Sequence, residues 1–277
     1  MKSLKPAFYL LGSVVIASFS GILIKSSSLP PGTIAFYRLL IASLLFLTVK
    51  RKRCAFSFHD EMLSILSGFL LAMHFYFWVS AFKHTTVTGA VIPLTLQPVV
   101  TSFFSYLFYK EKLTLFQLLT GSTVVLGVLI AVFDKGSISN VSKGDLMAIV
   151  GVLFFCGYLI VGRSLNKKMG SFNFSMRTHI VATMILLVLG TPSFKIVDVK
   201  EWFILIVLGA GCSFLGYLLI NISLKYFPSS VVSIALVGEP ALAILWSSLM
   251  LRESATLFQI LGFAISVIGL LLFLIKT

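Results

Sequence analysis

The sequence predicts an all-α membrane protein whose ten transmembrane helices form two inverted five-helix repeats. Composition, the spacing of apolar stretches and an internal repeat support this fold class. Of the 277 residues, 58% are hydrophobic and only 11% are charged. A soluble domain carries about a quarter charged residues. This chain has too little polar surface to cover a water-soluble globule, so lipid is its expected solvent.

Charge and cysteine content narrow the function further. The formal net charge is +13, but the basic residues stand in short clusters between apolar stretches. Such clusters are typical of membrane topology signals rather than of a nucleic-acid-binding patch. The three cysteines have neither pair nor ligand spacing, so no disulfide framework and no metal site is expected. The sequence has no glycine-rich phosphate-binding loop, so we expect neither direct use of ATP nor any cofactor.

Ten stretches are long and apolar enough to cross a bilayer, which takes about 20 mostly apolar residues. The loops between them are short and leave no room for a soluble domain. The predicted spans, numbered 1 to 10 in chain order, are residues 7–24, 32–49, 62–81, 87–108, 115–133, 145–162, 173–191, 201–222, 230–250 and 257–275.

An internal repeat organises these spans. Shifted by 142 residues, 82–127 lies without a gap on 224–269, and 14 of the 46 aligned pairs are identical. Several matches are polar or proline, which a shared apolar bias does not explain, so the chain is a duplication. The matches include Lys83/Lys225, Pro98/Pro240, Glu111/Glu253, Gly127/Gly269 and the run 114–117 on 256–259.

A weaker echo extends the repeat to the first spans of each half. At an offset of 139, Phe19 falls on Tyr158 and Arg38 on Arg177. We therefore divide the chain into repeats 1–138 and 139–277. The three-residue change of offset is expected in the loops or ends around spans 3 and 8. Because five is odd, the second repeat enters the membrane from the opposite side, an arrangement that recurs in secondary transporters with sites near the midplane.

Four segments carry a resemblance to a known family. Ser26–Arg38, Tyr109–Thr114, Gly238–Pro240 and Leu251–Glu253 resemble the drug/metabolite transporter superfamily, specifically chains built from two EamA-type repeats. The resemblance covers nearly the whole chain and implies a membrane carrier. One departure is in span 1, where many relatives carry a tryptophan and this chain reads Gly12–Ser18 without one.

Spans 4 and 9 hold the strongest candidates for a site. Gln97-Pro98 and Glu239-Pro240 occupy matched positions near mid-membrane, and each proline deprives the carbonyl four residues earlier of its helical partner. Such a kink either packs against a neighbouring helix or lines a cavity. Glu239 is the one acidic residue deep in a span, so it must be neutral, paired or hydrated. Three roles fit it: a buried hydrogen bond, contact with a cationic part of the substrate, or transfer of a coupling proton.

Further candidates for the walls of a binding chamber come from helical spacing and from the repeat. Each of them also fits ordinary packing or helix–helix hydrogen bonding. Arg38 and Arg177 lie a turn or two inside their spans, and their matched placement indicates a structural or gating role. The wall candidates are His74 with Trp78 on span 3, Ser213, Tyr217 and Asn221 on span 8, and Phe19 with Tyr158 on spans 1 and 6.

The sequence thus predicts a secondary transporter of the cell inner membrane that moves a small metabolite by alternating access. The family resemblance favours export of an amino acid or similar amphipathic compound; import of a nucleoside-like or methyl-donor metabolite such as S-adenosylmethionine is the alternative. A membrane enzyme or a channel is more distant, and we expect no catalytic residues. Lipid and a coupling proton are the other expected partners. Spans 5 and 10, with Gly127 and Gly269, either buttress a monomer or form a homodimer.

We predict that both termini and the basic cluster 50–53 are cytoplasmic. With this orientation thirteen Lys and Arg residues lie on the cytoplasmic side and seven on the outer side, as the positive-inside rule requires. Reporter fusions after Lys52 and after Gly136 should give cytoplasmic and external signals respectively. The reverse pattern would exchange the two membrane sides.

Overall fold

The computed structural model describes residues 5–49, 56–85, 90–133, 142–195, 198–250 and 257–275. Within these ranges every regular element is a helix, and the ten predicted spans are all present as helices. Six continuous helical stretches are long and apolar enough to cross a membrane by themselves. The proposed boundary at 138/139, the basic cluster 50–53 and Glu253 lie outside the described residues.

Seven spans are single helices or nearly so, and three contain an internal change of winding. Spans 2, 3, 5, 6, 7 and 10 are uninterrupted, and span 1 is interrupted only at Phe19. The observed bounds are Lys5–Ser18 and Ser20–Ser26 (span 1), Pro31–Thr48 (2), Phe58–His84 (3), the 3-10 helix Ile92–Leu96 and Gln97–Tyr109 (4), Leu115–Phe133 (5), Lys143–Met169 (6), Ser171–Leu189 (7), Val199–Ile206, the π-helix Val207–Gly216 and Tyr217–Tyr226 (8), Ser229–Leu236 and Gly238–Met250 (9), and Leu257–Ile275 (10).

Local side chains fix where two of the long spans begin. Ser142 and Asp145 form a reciprocal cap on span 6: the Ser142 hydroxyl accepts the Asp145 N–H at 3.1 Å, and the Asp145 carboxylate accepts the Ser142 N–H at 2.8 Å. Ser57 likewise accepts the Asp60 N–H at the start of span 3. These caps satisfy N–H groups that the first turn of a helix leaves without partners.

The prolines of spans 4 and 9 start new helices instead of bending continuous ones. Pro98 lies in the first turn of Gln97–Tyr109, and Pro240 lies in the first turn of Gly238–Met250. A first turn tolerates proline because its N–H groups have no helical acceptor. The Leu94 carbonyl loses its α-helical donor at Pro98, as expected, and accepts the Gln97 N–H at the end of a 3-10 turn instead.

The matched spans of the two halves pack antiparallel about a pseudo-twofold axis. Between spans 4 and 9, Thr101 bonds Ser233 at 2.5 Å and Ser105 bonds Ser229 at 2.6 Å. The residue number rises along one span as it falls along the other, so the two helices run in opposite directions. The repeats are therefore inverted.

Spans 5 and 10 repeat the same geometry at close range. Gly127 packs against Ser266, and Gly269 packs against Val124. The 142-residue offset exchanges these two contacts, because 124 + 142 = 266 and 127 + 142 = 269. The Ser266 hydroxyl also donates to the Val124 carbonyl at 3.1 Å. Glycine permits the helix backbones to approach this closely.

Equivalent contacts in the two repeats also show where along the chain the offset between the repeats changes. Gly68 packs against Val181 and Gly209 packs against Ile41. Here the offset is 140 between Ile41 and Val181 and 141 between Gly68 and Gly209, compared with 142 from residue 82 onward. The last added residue therefore falls inside span 8, where Val207–Gly216 winds as a π-helix. A π-turn holds one residue more than an α-turn, so it absorbs the insertion without a loop.

The same contacts correct the matching of the two arginines. The Arg38 carbonyl lies 3.2 Å from a Cβ built on Gly209, and the Thr178 carbonyl lies 3.0 Å from one built on Gly68. Thr178 is therefore the structural counterpart of Arg38, one residue beyond the Arg177 that the sequence echo indicates.

We predict that Gly127→Ala lowers the free energy of unfolding by about 1–3 kcal/mol through overpacking. The added Cβ would lie 2.6 Å from the Ser266 backbone nitrogen, so spans 5 and 10 must separate. Gly211→Ala is the matched control, because a Cβ there meets no heavy atom within 4 Å. Thermal unfolding of purified protein in detergent tests both variants. Equal unfolding temperatures for Gly127→Ala and wild type would contradict the close packing.

Candidate functional site

A central cavity lies where the two repeats meet. It brings together five of the predicted site residues, which come from spans 3, 4, 8 and 9: His74, Trp78, Gln97, Tyr217 and Glu239. Spans 1, 2 and 6 complete the wall. Their contributions, with the remaining residues of spans 3, 4 and 8, are Ala17, Ser20, Arg38, Phe75, Leu94, Phe155 and Ile220.

The cavity is closed to anything larger than water. Its volume is about 40 Å³, and one water needs roughly 10–15 Å³ measured in the same way. A smaller cavity of about 20 Å³ adjoins it; Glu239 and Trp78 line both, and Pro240 lines the smaller one. The break in span 9 thus borders the internal space. A solute of metabolite size can enter only if the surrounding helices move.

Arg38 brings a positive charge to this cavity. Its side chain is 1% exposed. The guanidinium Nε donates to the Ser213 hydroxyl at 2.9 Å and Nη1 donates to the Ser20 hydroxyl at 3.1 Å. The guanidinium carbon also lies 4.2 Å from the centre of the Phe75 ring, a cation–π contact. Within the described part of the chain, Arg38 has no carboxylate at ion-pair distance.

Glu239 and Gln97 bring unpaired acceptors to the same space. Among the described residues, no donor bonds the half-buried Glu239 carboxylate, and the side-chain oxygen of Gln97 is buried without a donor. Native proteins leave few buried polar groups unsatisfied. Gln97 and Glu239 therefore offer this cavity acceptors that water or another molecule can satisfy.

His74 is held in one tautomer. Its Nδ1 lies 2.9 Å from the Gly151 carbonyl oxygen. A carbonyl only accepts, so Nδ1 carries the hydrogen and Nε2 of the neutral ring is an acceptor. The ring stacks on Trp78 with centroids 5.9 Å apart. Span 3 therefore gives the cavity one aromatic wall and one further acceptor.

Tyr158 and Asn221 lie outside the cavity lining and bond each other. The Asn221 amide donates to the Tyr158 hydroxyl at 2.6 Å and to the Ser175 hydroxyl at 2.8 Å. Its oxygen accepts from the Asn166 amide at 3.3 Å. These bonds join spans 6, 7 and 8 in a fully buried network, which accounts for the polar atoms of both residues.

Phe19, a predicted wall residue, lines neither of these two cavities. It stacks on Trp246 of span 9 with ring centroids 4.4 Å apart, and the Trp246 indole N–H donates to the Ser18 hydroxyl at 2.8 Å. The sequence analysis missed Trp246 because it has no counterpart tryptophan in the first repeat. It also placed Arg38 outside the chamber, although a cation eight residues into an apolar span is a signal in itself.

The two arginines occupy different environments. Arg177 is partly exposed, and its Nη1 donates to the Glu61 carboxylate at 2.6 Å, at the rim of the bundle. Arg38 is enclosed at the centre. The sequence predicts matched positions for the two arginines, but their surroundings differ.

Polar contacts close the protein at both ends. At the Glu111 end, Arg163 donates to the Glu111 carboxylate at 2.9 and 3.0 Å and to the Leu224 carbonyl at 2.7 Å. At the opposite end, which holds Glu201, the Ser27 hydroxyl donates to the Glu201 carboxylate at 2.5 Å.

The two closures use equivalent backbone acceptors, one in each repeat. The Lys25 ammonium donates to the Phe82 carbonyl at 2.9 Å at the Glu201 end, as Arg163 does to Leu224 at the Glu111 end. Phe82 and Leu224 are repeat counterparts, because 82 + 142 = 224. Both ends therefore use a basic side chain on the same carbonyl of the repeat.

Comparison with known proteins identifies the two halves. The model of the EamA-like transporter family matches residues 4–133 and again residues 142–275. The two matches together cover nearly the whole chain. They agree with the two EamA-type repeats that the sequence resembles.

Curated relatives match most of this chain and are named as transporters. An uncharacterized transporter, YxxF, from Bacillus subtilis (strain 168) is 23% identical over 95% of this chain and 88% of its own length. A second one, YdfC, from the same organism is 27% identical over 91% of this chain and 85% of its own length. A solved crystal structure covers 97% of this chain and 96% of its own, with a TM-score of 0.76 and 14% identity, which shows a shared fold.

We predict that Asn221→Ala lowers stability without changing ligand affinity. The change removes three side-chain hydrogen bonds, each worth on the order of 0.6 kcal/mol in membrane proteins, so the loss should be about 2 kcal/mol. Thermal unfolding in detergent measures it. Glu239→Gln serves as the control, since Glu239 has no hydrogen-bond partner in the described chain. If Asn221→Ala unfolds at the same temperature as wild type but binds ligand more weakly, Asn221 belongs to the substrate site.

Proposed function

The chain belongs to the EamA-like transporter family, and on that premise we propose that it is a secondary transporter that moves a small metabolite across the cell inner membrane by alternating access. One observation carries the proposal. The closed central cavity lies between the repeats, beside the breaks of spans 4 and 9, and holds the unpaired acceptors of Gln97 and Glu239. Inverted-repeat transporters bind substrate at this position, next to discontinuous helices.

The closures at the two ends support alternating access. Each joins a basic side chain to the carbonyl of a repeat counterpart, Phe82 or Leu224. The two closures are related by the twofold axis of the repeats. If the two repeats exchange conformations, one end opens while the other end stays closed. In this proposal the Arg163–Glu111 contact breaks when the cavity opens to the cytoplasm, and the Ser27–Glu201 contact breaks when it opens outward.

The cavity wall supports an amphipathic substrate, and we assign export of an amino acid or similar compound. Aromatic rings from Phe75, Trp78, Phe155 and Tyr217 face the same space as the polar groups. Apolar walls with a few placed polar groups are typical of small-molecule sites. Import of a nucleoside-like or methyl-donor metabolite is the second candidate, because aromatic rings also stack on bases and attract sulfonium-type cations.

The predicted residues that line the cavity have roles in this mechanism. Glu239 contacts a cationic part of the substrate or carries the coupling proton, and Gln97, His74, Trp78 and Tyr217 complete the site. Pro98 and Pro240 keep the helix ends beside the cavity. The repeats 1–138 and 139–277 act as the two moving units of a monomer or homodimer with both termini in the cytoplasm, and no residue has a catalytic role.

We predict that Glu239→Gln folds normally but transports slowly. Glutamine has nearly the same volume, so packing survives while the charge is lost. The assay is counterflow of a labelled mixture of the twenty L-amino acids in proteoliposomes, expressed per folded molecule from acidic to mildly alkaline pH. Loss of the pH dependence identifies a proton carrier, and a change in substrate affinity alone identifies a substrate contact.

Glu61→Gln is the matched control, because Glu61 lies outside the cavity and pairs with Arg177. It should transport like wild type. Wild-type rates and an unchanged pH profile for Glu239→Gln would remove Glu239 from the mechanism. Absence of saturable counterflow in wild type for every solute tried would refute the transporter assignment itself.

A further inference from the structure

The central cavity is lined by one basic and one acidic side chain, and these two form no ion pair with each other. Arg38 and Glu239 both line it. Their side chains are nevertheless farther apart than ion-pair distance, and neither has another ionic partner among the residues described. Burying a charge away from water is costly unless a partner compensates it. A ligand with a negative group at one end and a positive group at the other would compensate both side chains.

Arg38 has donors to spare. A guanidinium carries five N–H groups in a planar fork. Nε and Nη1 each donate to one neutral hydroxyl, and Nη2 donates to no residue in the described ranges. The fork fits the two oxygens of a carboxylate, which neutral serine hydroxyls do not replace.

The fold itself does not require either charge. The repeat counterpart of Arg38 is Thr178, and the counterpart of Glu239 is the neutral Gln97. At each of these positions the other repeat has a neutral residue, and the backbone packs in the same way. The first repeat therefore supplies a cation, and the second supplies an anion, to a shared cavity. This asymmetry indicates a ligand with two different ends.

We propose that Arg38 binds the carboxylate of a zwitterionic α-amino acid whose ammonium group faces Glu239. This inference rests on the proposed transport function and names its substrate class. Ser20 and Ser213 hold the guanidinium in place, and the Phe75 ring supports its face. The aromatic residues of the wall receive the amino-acid side chain when the helices separate.

The test compares three ligands that share one side chain. Purified protein in detergent is first heated with each of the twenty L-amino acids, and the acid that stabilises most is chosen. Its decarboxylated amine and its deaminated acid are then titrated in the same assay. In wild type the amino acid should bind on the order of 10- to 100-fold more tightly than either analogue, because each analogue leaves one buried charge without its bond.

The variants assign each end of the ligand. Arg38→Gln should bind the amino acid no better than the amine, with unchanged affinity for the amine. Glu239→Gln should show the reverse, losing the preference for the amino acid over the deaminated acid. Arg38→Lys should restore part of the carboxylate preference, since it keeps the charge without the fork. Should Arg38→Gln fail to fold, Arg38→Lys and the three-ligand comparison in wild type still decide the matter.

Arg177→Gln is the matched control. It removes the same charge from the residue that the sequence echo pairs with Arg38, but at the rim of the bundle. Its ligand preferences should equal those of wild type.

Three results would overturn the proposal. They are stabilisation by none of the amino acids, wild-type binding of the amine as tight as that of the amino acid, or an unchanged carboxylate preference in Arg38→Gln. Saturable counterflow of some other solute alongside any of these would leave the transporter assignment standing and remove only the zwitterion site.

Discussion

Hydrocarbon offers no hydrogen-bond partner, so every polar group within a span must find one inside the protein. Most of this structure follows from that constraint. Asn221 joins three spans because its amide has nowhere else to bond. The Leu94 carbonyl, deprived of a helical donor by Pro98, takes the Gln97 N–H instead. Gln97, Glu239 and Arg38 keep polar atoms without a protein partner in the described chain, and all three line one cavity.

The inverted duplication explains why that cavity is central. A twofold axis in the membrane plane brings the matched breaks of spans 4 and 9 together at mid-membrane. Glycine contacts between spans 5 and 10 and between spans 3 and 7 hold the halves at short range. The two repeats differ at residues that line this cavity. Arg38 stands against Thr178 and Glu239 against Gln97, so the two otherwise equivalent repeats give the cavity two unlike ends.

Spans 3 and 8 show how one repeat tolerates an added residue. The offset between the halves grows from 139 to 142 along the chain, and the sequence predicted this change in the loops or ends around spans 3 and 8. Contacts at Gly68 and Gly209 put the last step inside span 8. A helix in lipid cannot loop out one residue without exposing backbone groups, whereas a π-turn keeps them bonded. The winding of Val207–Gly216 is therefore the solution that lipid allows.

The sequence by itself determined the fold class, the ten spans and the duplication, and it singled out Gln97 and Glu239 as candidates for a site. These depend on composition, on periodicity and on identities that survive a fixed offset, all of which are local or linear properties of the chain. Only the tertiary structure decided that Arg38 enters the cavity while Arg177 stays at the rim, and that Tyr158 and Asn221 bond each other. Which way a side chain faces depends on the rotation of each helix against its neighbours. That rotation is set by contacts such as Gly209 with Ile41, between residues far apart in the chain.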